Sequence, residues 1–269
     1  MDSNGQAQIS RTGVLLLNLG TPEGPHTGPV RRYLRQFLSD PRVIDINPVG
    51  RYFLVNLIIV PFRAPKSAES YRKIWTEAGS PLLVHGRRLA ELVQAELDTH
   101  SAGNYVVKLG MRYGKPSTES VLREFAAEGI GRIRALPLYP QYASASVGSS
   151  IEEVYRCASR VWNVPAIDML PVFYNNPCFI NSAVSVAQEA LCAKKYDHYL
   201  FSFHGLPERQ IIKSKDSPDS PCLKNEDCCR SISAVNRSCY RAQCFATARS
   251  IADKLELEKD KWSVSFQSR

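Results

Sequence analysis

The sequence predicts an α/β fold built from parallel sheets, and three observations support this prediction. Short apolar runs recur along the chain, and each is followed by a turn and then by an amphipathic helix. Hydrophobic residues make up 44% and charged residues 22% of the 269 residues, as is usual for a globular protein. Strands that alternate with helices form parallel sheets covered by helices on both faces. Two such series predict two similar lobes, 1–150 and 151–269, with a cleft between them.

The first series begins with GVLLLNLG at 13–20, a continuous apolar run closed by Gly-Thr-Pro, which is typical of a buried parallel strand. Ser80 and Pro81 form an N-cap followed by a proline at the first helical position, and they open a long helix. Ser117 opens a second helix, which Gly129 ends. The remaining predicted elements of this series are a helix at 27–40, strands at 105–114 and 130–140, and a helix at 149–162.

The second series begins near residue 165 with the apolar run AIDMLPVF, which we expect to be a strand. Asn176 and Pro177 cap the next helix. HYLFSFHG at 198–205 is a further strand, a long polar loop follows it, and a helix then starts near residue 240. The apolar run WSVSFQS is the last predicted strand, and no helix follows it, so we expect the chain to lack a C-terminal segment.

Charge and hydropathy exclude several classes of protein. No apolar stretch reaches the roughly 18–20 residues of a membrane-spanning helix, and the polar start MDSNGQAQIS is unlike a signal peptide. We therefore expect a cytoplasmic protein. The net charge is +8, but the Lys and Arg residues are scattered, so we expect no nucleic acid partner. An anionic small molecule or an anionic membrane surface explains the excess of positive charge equally well.

His204 is the most informative of the five histidines. The strand YLFSF carries it to the carboxyl end of a predicted parallel sheet, which is the edge where ligands bind in open α/β folds. Tyr113 and Tyr139 also follow strands, and we predict that both are cleft residues. The alternative for His204 is a hydrogen-bonded structural histidine at a turn.

Five of the eight cysteines lie between residues 222 and 244. Disulfides are disfavoured in a cytoplasmic protein, and the absence of a Cys-x2-Cys pair argues against structural zinc. Cys228 and Cys229 would point apart in an extended loop, so we expect only one of them to bind metal; we favour Cys229, with Cys228 as the alternative. Cys222, Cys239 and Cys244 would supply the other thiolates of an iron–sulfur cluster. Zinc, or no metal at all, remains an alternative.

Five segments together resemble the ferrochelatase family, and they occur in order along almost the whole chain: LLNLGTPEGP, PFRAPKSAESYRKIW with GSPL, LPLYPQYASASVGSS, FSFHGLPER, and YRAQCFATARSIADKL with FQS. This resemblance implies a class II chelatase-like fold with two Rossmann-like lobes and a porphyrin cleft. It also implies a lyase of heme and porphyrin biosynthesis that inserts Fe2+ into protoporphyrin IX. Its substrates, and its expected partners, are therefore this porphyrin and ferrous iron.

The resemblance also implies roles for individual residues. His204 corresponds to the catalytic histidine, which accepts pyrrole protons or binds the incoming iron, and we favour proton acceptance. Arg63, Tyr71 and Ser80 correspond to positions that bind the porphyrin propionates. Leu19 lies at a turn that would face the macrocycle, where some bacterial relatives have a tyrosine.

Arg63 follows the apolar run RYFLVNLIIVPF, which suits a lip that touches the surface of the inner membrane. The alternative for this run is an ordinary core helix. Some bacterial members of the family carry a [2Fe-2S] cluster in an insert after the histidine strand, which is where the cysteines of this chain lie.

One departure from the family pattern concerns a second essential group. This group is a glutamate in a segment beyond Arg269, and neither Glu256 nor Glu258 matches its motif. A non-enzymatic protein that binds porphyrin or an iron–sulfur cluster is therefore the alternative to a ferrochelatase.

Overall fold

The computed structural model describes residues 11–101, 103–192, 194, 196–216, 222–224 and 226–267. The chain forms two compact units, of which the second contains Tyr139–Ser144 and the described residues from Val172 onward. The strands are β1 (Thr12–Thr21), β2 (Tyr105–Gly114), β3 (Arg132–Pro137), β4 (Ala166–Met169), β5 (Tyr199–His204) and β6 (Trp262–Gln267). The helices are α1 (Thr27–Leu38), α2 (Pro48–Phe53), α3 (Val60–Ile74), α4 (Pro81–Ser101), α5 (Thr118–Ala127), α6 (Ser149–Ala158), α7 (Pro177–Leu191), α8 (Glu208–Lys213) and α9 (Tyr240–Lys254).

The first unit contains a four-stranded parallel sheet in the order β2-β1-β3-β4. Thr12 of β1 is in register with Tyr105 on one side and with Arg132 on the other. Because β1 has neighbours on both edges, the strand is central, which explains its continuous apolar sequence. The predicted parallel α/β architecture is confirmed.

Helices cover both faces of this sheet. Successive residues of a strand point to opposite faces, so Leu15 and Leu17 pack on one side and Leu16 on the other. The cluster with Leu15 includes Phe125 of α5 and Val154 of α6. The cluster with Leu16 includes residues of β2 and side chains of α4.

The apolar run RYFLVNLIIVPF occupies α2, a π-helical stretch at Leu54–Ile59 and the start of α3. Val55 and Val60 are buried, but Tyr52 is 63% and Phe62 is 75% exposed. An ordinary core helix is therefore the wrong interpretation of this run, because much of its apolar surface faces solvent. Within the described ranges, no helix is both long enough and apolar enough to cross a bilayer.

The second unit contains a two-stranded parallel sheet, in which His204 of β5 is in register with Gln267 of β6. Asn176 caps α7 as expected, because its side chain accepts a hydrogen bond from the Cys178 backbone N–H. The assignment of AIDM to the second series is wrong, since this strand, β4, pairs with β3 and extends the first sheet. Arg132 and Asp168 form an ion pair of 2.9 Å across these two strands.

Candidate functional site

His204 is the last residue of β5, and its side chain is exposed. The Gly205 backbone N–H donates to the Gln267 carbonyl at 2.6 Å and so fixes the chain directly after the histidine. The Tyr240 hydroxyl of α9 hydrogen-bonds the backbone of His204 and the Cys244 thiol, and burial raises the pKa of Tyr240. The backbone of His204 is thus held on two sides, while the imidazole at the carboxyl end of the strand remains accessible.

A cavity of about 590 Å³ lies in the first unit where β1 and β2 end. Thr21 and Ser80 form part of its wall, and the Thr21 hydroxyl donates to the Ser80 oxygen at 2.8 Å. Arg87 and Lys115 also line this cavity, where Lys115 forms an ion pair of 2.7 Å with Glu23. Ser80 was expected from the sequence, but Arg87 and Lys115 were not, because neither residue belongs to one of the five segments that resemble the ferrochelatase family.

Arg63 and Tyr71 lie on α3, two helical turns apart. Arg63 is exposed, and no ion pair or hydrogen bond of its guanidinium occurs within the described part of the chain. Tyr71 is half-buried in the cluster between α1 and α3, and burial raises the pKa of its hydroxyl, which hydrogen-bonds Tyr33. Leu19 packs against the same cluster. Leu19 and Tyr71 thus pack against one cluster of the first unit, while Arg63 is exposed.

Tyr113 does not lie where the sequence analysis placed it. Its side chain is 0% exposed, and its hydroxyl donates to Oδ2 of Asp40 at 2.7 Å. Ser149 Oγ lies 3.2 Å from the same hydroxyl. Successive residues of a strand alternate between the two faces of the sheet, and the position of a tyrosine near the end of β2 does not tell which face is covered. Tyr113 is therefore a buried structural residue and not a cleft residue.

Tyr139 is half-buried and opens the segment Tyr139–Ser144, which belongs to the second unit. The Tyr142 backbone N–H donates to Oε1 of Gln243 at 2.6 Å. Gln243 was not identified from the sequence, although one signal pointed to it. Gln243 and Thr247 are polar residues at i and i+4 of a helix, and a polar pair at this spacing can occupy the inward face.

Four thiols share one packed cluster in the segment that we call the thiol insert, the described residues of 222–239. Cys228 and Cys229 lie in a 3-10 turn, and their sulfur atoms are 3.6 Å apart. The expectation that the two side chains point apart is therefore wrong. A tight turn, unlike an extended loop, brings neighbouring side chains to one side. Cys239 hydrogen-bonds Cys229, which lowers the pKa of Cys239 and raises that of Cys229. Cys222 packs against the same cluster.

Cys244 lies apart from this cluster. It is 0% exposed, it hydrogen-bonds the Tyr240 hydroxyl, and burial raises its pKa to about 12. The structure therefore groups Cys228, and not Cys244, with Cys222, Cys229 and Cys239. All eight cysteines are free thiols. Across the described residues, no group of three or more His, Cys, Asp or Glu side chains is already arranged to hold a metal ion.

Comparison with known proteins agrees with the fold. The profile of the ferrochelatase family matches residues 11–269. The ferrochelatase of Bdellovibrio bacteriovorus is 44% identical over 261 residues, which cover 97% of this chain and 75% of that protein. A ferrochelatase of Coxiella burnetii is 45% identical and one of Legionella pneumophila is 42% identical, over 97% and 96% of this chain and 71% and 74% of the relatives. The chain belongs to the ferrochelatase family.

Proposed function

We propose that this chain is a lyase that inserts Fe2+ into protoporphyrin IX to form protoheme. The observation that carries this proposal is the identity of 42–45% to ferrochelatases over nearly the whole chain. The exposed imidazole of His204 at the end of β5 supports it independently. The alternative, a protein that binds porphyrin without metallating it, is not favoured by these comparisons.

Insertion of the metal replaces two pyrrole N–H protons by one Fe2+, so the protein must accept protons as the metal enters. A neutral imidazole is suited to this task because it exchanges protons near physiological pH. His204 is exposed, so each proton that its ring accepts can pass on to solvent before the next one is taken. The hydrogen bonds of Gly205 and Tyr240 to either side keep the backbone of His204 in place during this exchange.

An anaerobic assay with Fe2+ and protoporphyrin IX tests the proposal. We expect the porphyrin fluorescence to disappear as protoheme forms, at a rate proportional to the concentration of the chain. If the porphyrin binds and stays metal-free, the chain is a binding protein and the alternative is correct.

The two propionates of the porphyrin need cations and hydroxyl groups. Arg63 is a candidate because its guanidinium is exposed and has no partner within the described residues. Ser80, with Thr21 and Arg87, offers a second polar group in the cavity of the first unit. We propose that Arg63, Tyr71 and Ser80 bind the carboxylates, and that Leu19 and Tyr139 contact the apolar macrocycle.

Replacement of Arg63 by leucine should weaken the binding of protoporphyrin IX roughly tenfold, because a charge-assisted hydrogen bond to a propionate is lost. The dimethyl ester of the same porphyrin lacks this charge and should lose much less affinity. Fluorescence titration of both ligands measures the two dissociation constants. Arg72→Leu is the matched control, because Arg72 lies on the same helix and is also exposed. Equal losses for acid and ester would remove Arg63 from the propionate site.

The exposed apolar side chains of α2, the π-helical stretch and α3 support peripheral contact with a membrane surface. Tyr52, Leu57, Ile58 and Phe62 are each more than half exposed. Arg51 and Arg63 lie on the same stretch of helix and would attract anionic lipids. An apolar product such as a metalloporphyrin gains from release close to a bilayer.

We also propose that the thiol insert binds a [2Fe-2S] cluster. The donor chemistry fits, because the cluster of Cys222, Cys228, Cys229 and Cys239 presents four sulfurs with two of them 3.6 Å apart. Arg241 lies 3.7 Å from the Cys228 sulfur and would offset the negative charge of the thiolates. The Cys222 thiol contacts the Ile211 carbonyl at 3.9 Å, so it must rotate to join the other three.

Protein purified without oxygen should be reddish-brown, with about two irons and two acid-labile sulfides per chain. Cys239→Ser and Cys228→Ser should bleach the visible absorption, because each removes a ligand of the proposed set. Cys244→Ser should keep the colour, and it serves as the matched control because Cys244 is buried but bonded to Tyr240. If Cys244→Ser bleaches the protein and Cys228→Ser keeps its colour, then Cys244 and not Cys228 is a ligand, as expected from the sequence. Colourless protein with bound zinc would refute the cluster.

A further inference from the structure

Gln243 of α9 is a buried amide that joins two separate segments of the second unit. Its side chain is 1% exposed, and both of its polar atoms are paired. Oε1 accepts the Tyr142 backbone N–H at 2.6 Å, and Nε2 donates to the Arg237 carbonyl at 2.5 Å. Tyr142 belongs to Tyr139–Ser144, and Arg237 belongs to the thiol insert. Both hydrogen bonds are made by one amide group. If Tyr142 or Arg237 moves, its hydrogen bond to Gln243 breaks or the amide moves with it and shifts the other partner.

A second contact with α9 also holds the Tyr139–Ser144 segment. One helical turn further along, Thr247 Oγ1 accepts a hydrogen bond from the Gln141 side chain at 3.0 Å. The same hydroxyl donates to the Tyr174 carbonyl at 2.7 Å. Gln243 and Thr247 therefore fix two consecutive residues of this segment, Gln141 and Tyr142, which follow Tyr139 after one proline.

The contact with Arg237 reaches a part of the thiol insert that is itself tightly connected. Asn236, next to Arg237, donates to the Cys228 carbonyl at 3.1 Å. Ser238, on the other side, donates to Asp216 at 2.8 Å through both its backbone N–H and its hydroxyl. A displacement of Cys228 is thus passed through Asn236 to the carbonyl that Gln243 holds.

We propose that Gln243 is a positioning residue that couples the thiol insert to the Tyr139–Ser144 segment, so that the arrangement of the insert sets the affinity for porphyrin. The inference rests on the proposed function in one respect, since Tyr139 is proposed to contact the macrocycle. Gln243 itself touches neither substrate nor thiol. It acts by transmitting the position of one segment to the other, and the coupling is reciprocal.

A matched pair of substitutions isolates this coupling. In its ionised form, the glutamate of Gln243→Glu keeps the acceptor for the Tyr142 N–H and has no proton to donate to the Arg237 carbonyl, so at alkaline pH the substitution removes only the link to the insert. Gln94→Glu is the control, because Gln94 also joins two backbone groups, the Tyr105 carbonyl and the Val107 N–H, but in the first unit. Ser238→Ala loosens the insert mildly from the other side by removing the hydroxyl bond to Asp216.

Hydrogen exchange of the peptide that spans Tyr139–Ser144 is the first measurement. Ser238→Ala should speed exchange there about fivefold when Gln243 is present, which is the lower end of usual coupling factors. In the Gln243→Glu background the same substitution should have no effect, and in the Gln94→Glu background it should act as in the parent protein. An equal effect of Ser238→Ala in all three backgrounds would overturn the proposal, as would no effect in any of them.

Titration with protoporphyrin IX is the second measurement. Gln243→Glu should weaken the binding of protoporphyrin IX about tenfold, whereas Gln94→Glu should leave the affinity unchanged. Both titrations are done in conditions where urea unfolding shows each variant to be fully folded, so that a loss of general stability does not account for the difference. Unchanged affinity with the expected exchange result would overturn the link to porphyrin binding. A parent protein that binds no porphyrin would refute the proposed function, while the exchange experiment would still decide whether Gln243 couples the two segments.

Discussion

Replacement of His204 by alanine is expected to slow Fe2+ insertion about 10²–10⁴-fold, the usual contribution of a general acid or base. The dissociation constant for protoporphyrin IX should change little, because the imidazole acts on the pyrrole protons and not on the propionates. The residue ends β5 and its side chain is exposed, so its removal should leave the packed residues of the second unit in place. Initial rates at saturating porphyrin, together with a fluorescence titration, separate the two quantities.

His198→Ala is the matched control for this experiment. His198 precedes the same strand at its other end, where its Nε2 lies 2.8 Å from the Ser263 hydroxyl. The control should keep the parent rate of insertion, because His198 lies at the amino end of β5 and not at the carboxyl end where ligands bind. A His204→Ala protein that retains more than half of the parent rate would show that another group accepts the protons.

The parts of the fold that depend on local chemistry could be predicted from the sequence. The uninterrupted apolar run of β1 indicated a central parallel strand, and the structure places neighbours on both of its edges. Asn176 and Ser117 indicated helix starts, and each side chain accepts a backbone hydrogen bond there. These signals lie within a few residues of the feature that they report, so one sequence suffices to find them.

The parts that depend on distant partners could not be predicted. The strand β4 is short and apolar, and nothing within it says that its partner is β3 and not β5. Tyr113 is buried because Asp40 and Ser149, which lie far away in the sequence, meet its hydroxyl. The grouping of Cys228 with Cys229 depends on a tight turn that the loop composition does not indicate.

Asp40 lies at the centre of a buried network of hydrogen bonds in the first unit. The carboxylate is 5% exposed, and its Oδ2 accepts from Arg112 at 2.6 Å, from Tyr113 at 2.7 Å and from Ser149 at 2.5 Å. Its Oδ1 accepts the Arg42 backbone N–H at 2.7 Å. These contacts join the end of α1 to β2 and to the first residue of α6.

Asp40→Ala should lower the free energy of unfolding by about 3–5 kcal/mol, the usual cost of removing one partner of a buried ion pair. The substitution removes the acceptor of one Arg112 N–H group and of the Tyr113 and Ser149 hydroxyl groups in a buried region, while Arg112 keeps its ion pair of 3.5 Å with Glu153. Urea unfolding measures the change. Asp168→Ala is the control, because this carboxylate pairs with Arg132 at 2.9 Å but is 48% exposed, and such surface pairs contribute about 0–1 kcal/mol. Equal effects of the two substitutions would contradict the role of Asp40.

The acid sensitivity of the first unit should also depend on Asp40. Burial, the largest single influence, raises the pKa of this carboxyl group, but the hydrogen bonds from Ser149, Tyr113 and the Arg42 backbone, with the charge of Arg112, outweigh it and hold the pKa below its usual range. A carboxyl group with a lowered pKa stabilises the folded state above its unfolded pKa of about 3.9, and this stabilisation is lost as the pH falls through the folded pKa.

Asp40→Asn should therefore be less stable than the parent protein at neutral pH. The difference should begin to shrink as the pH falls below about 4, where the carboxyl group of the unfolded chain takes up a proton, and it should close only as the pH falls through the lower pKa of the folded protein. Urea midpoints measured from pH 7 to pH 3 for both proteins provide the comparison, with Asp168→Asn as the exposed control. A difference in stability that stays constant over this range would mean that the charge of Asp40 does not stabilise the unit. If the stability of Asp40→Asn approaches that of the parent protein at low pH, and that of Asp168→Asn does not change relative to the parent, then the contacts of Asp40 with Arg112, Tyr113 and Ser149 supply the stability that is lost in acid.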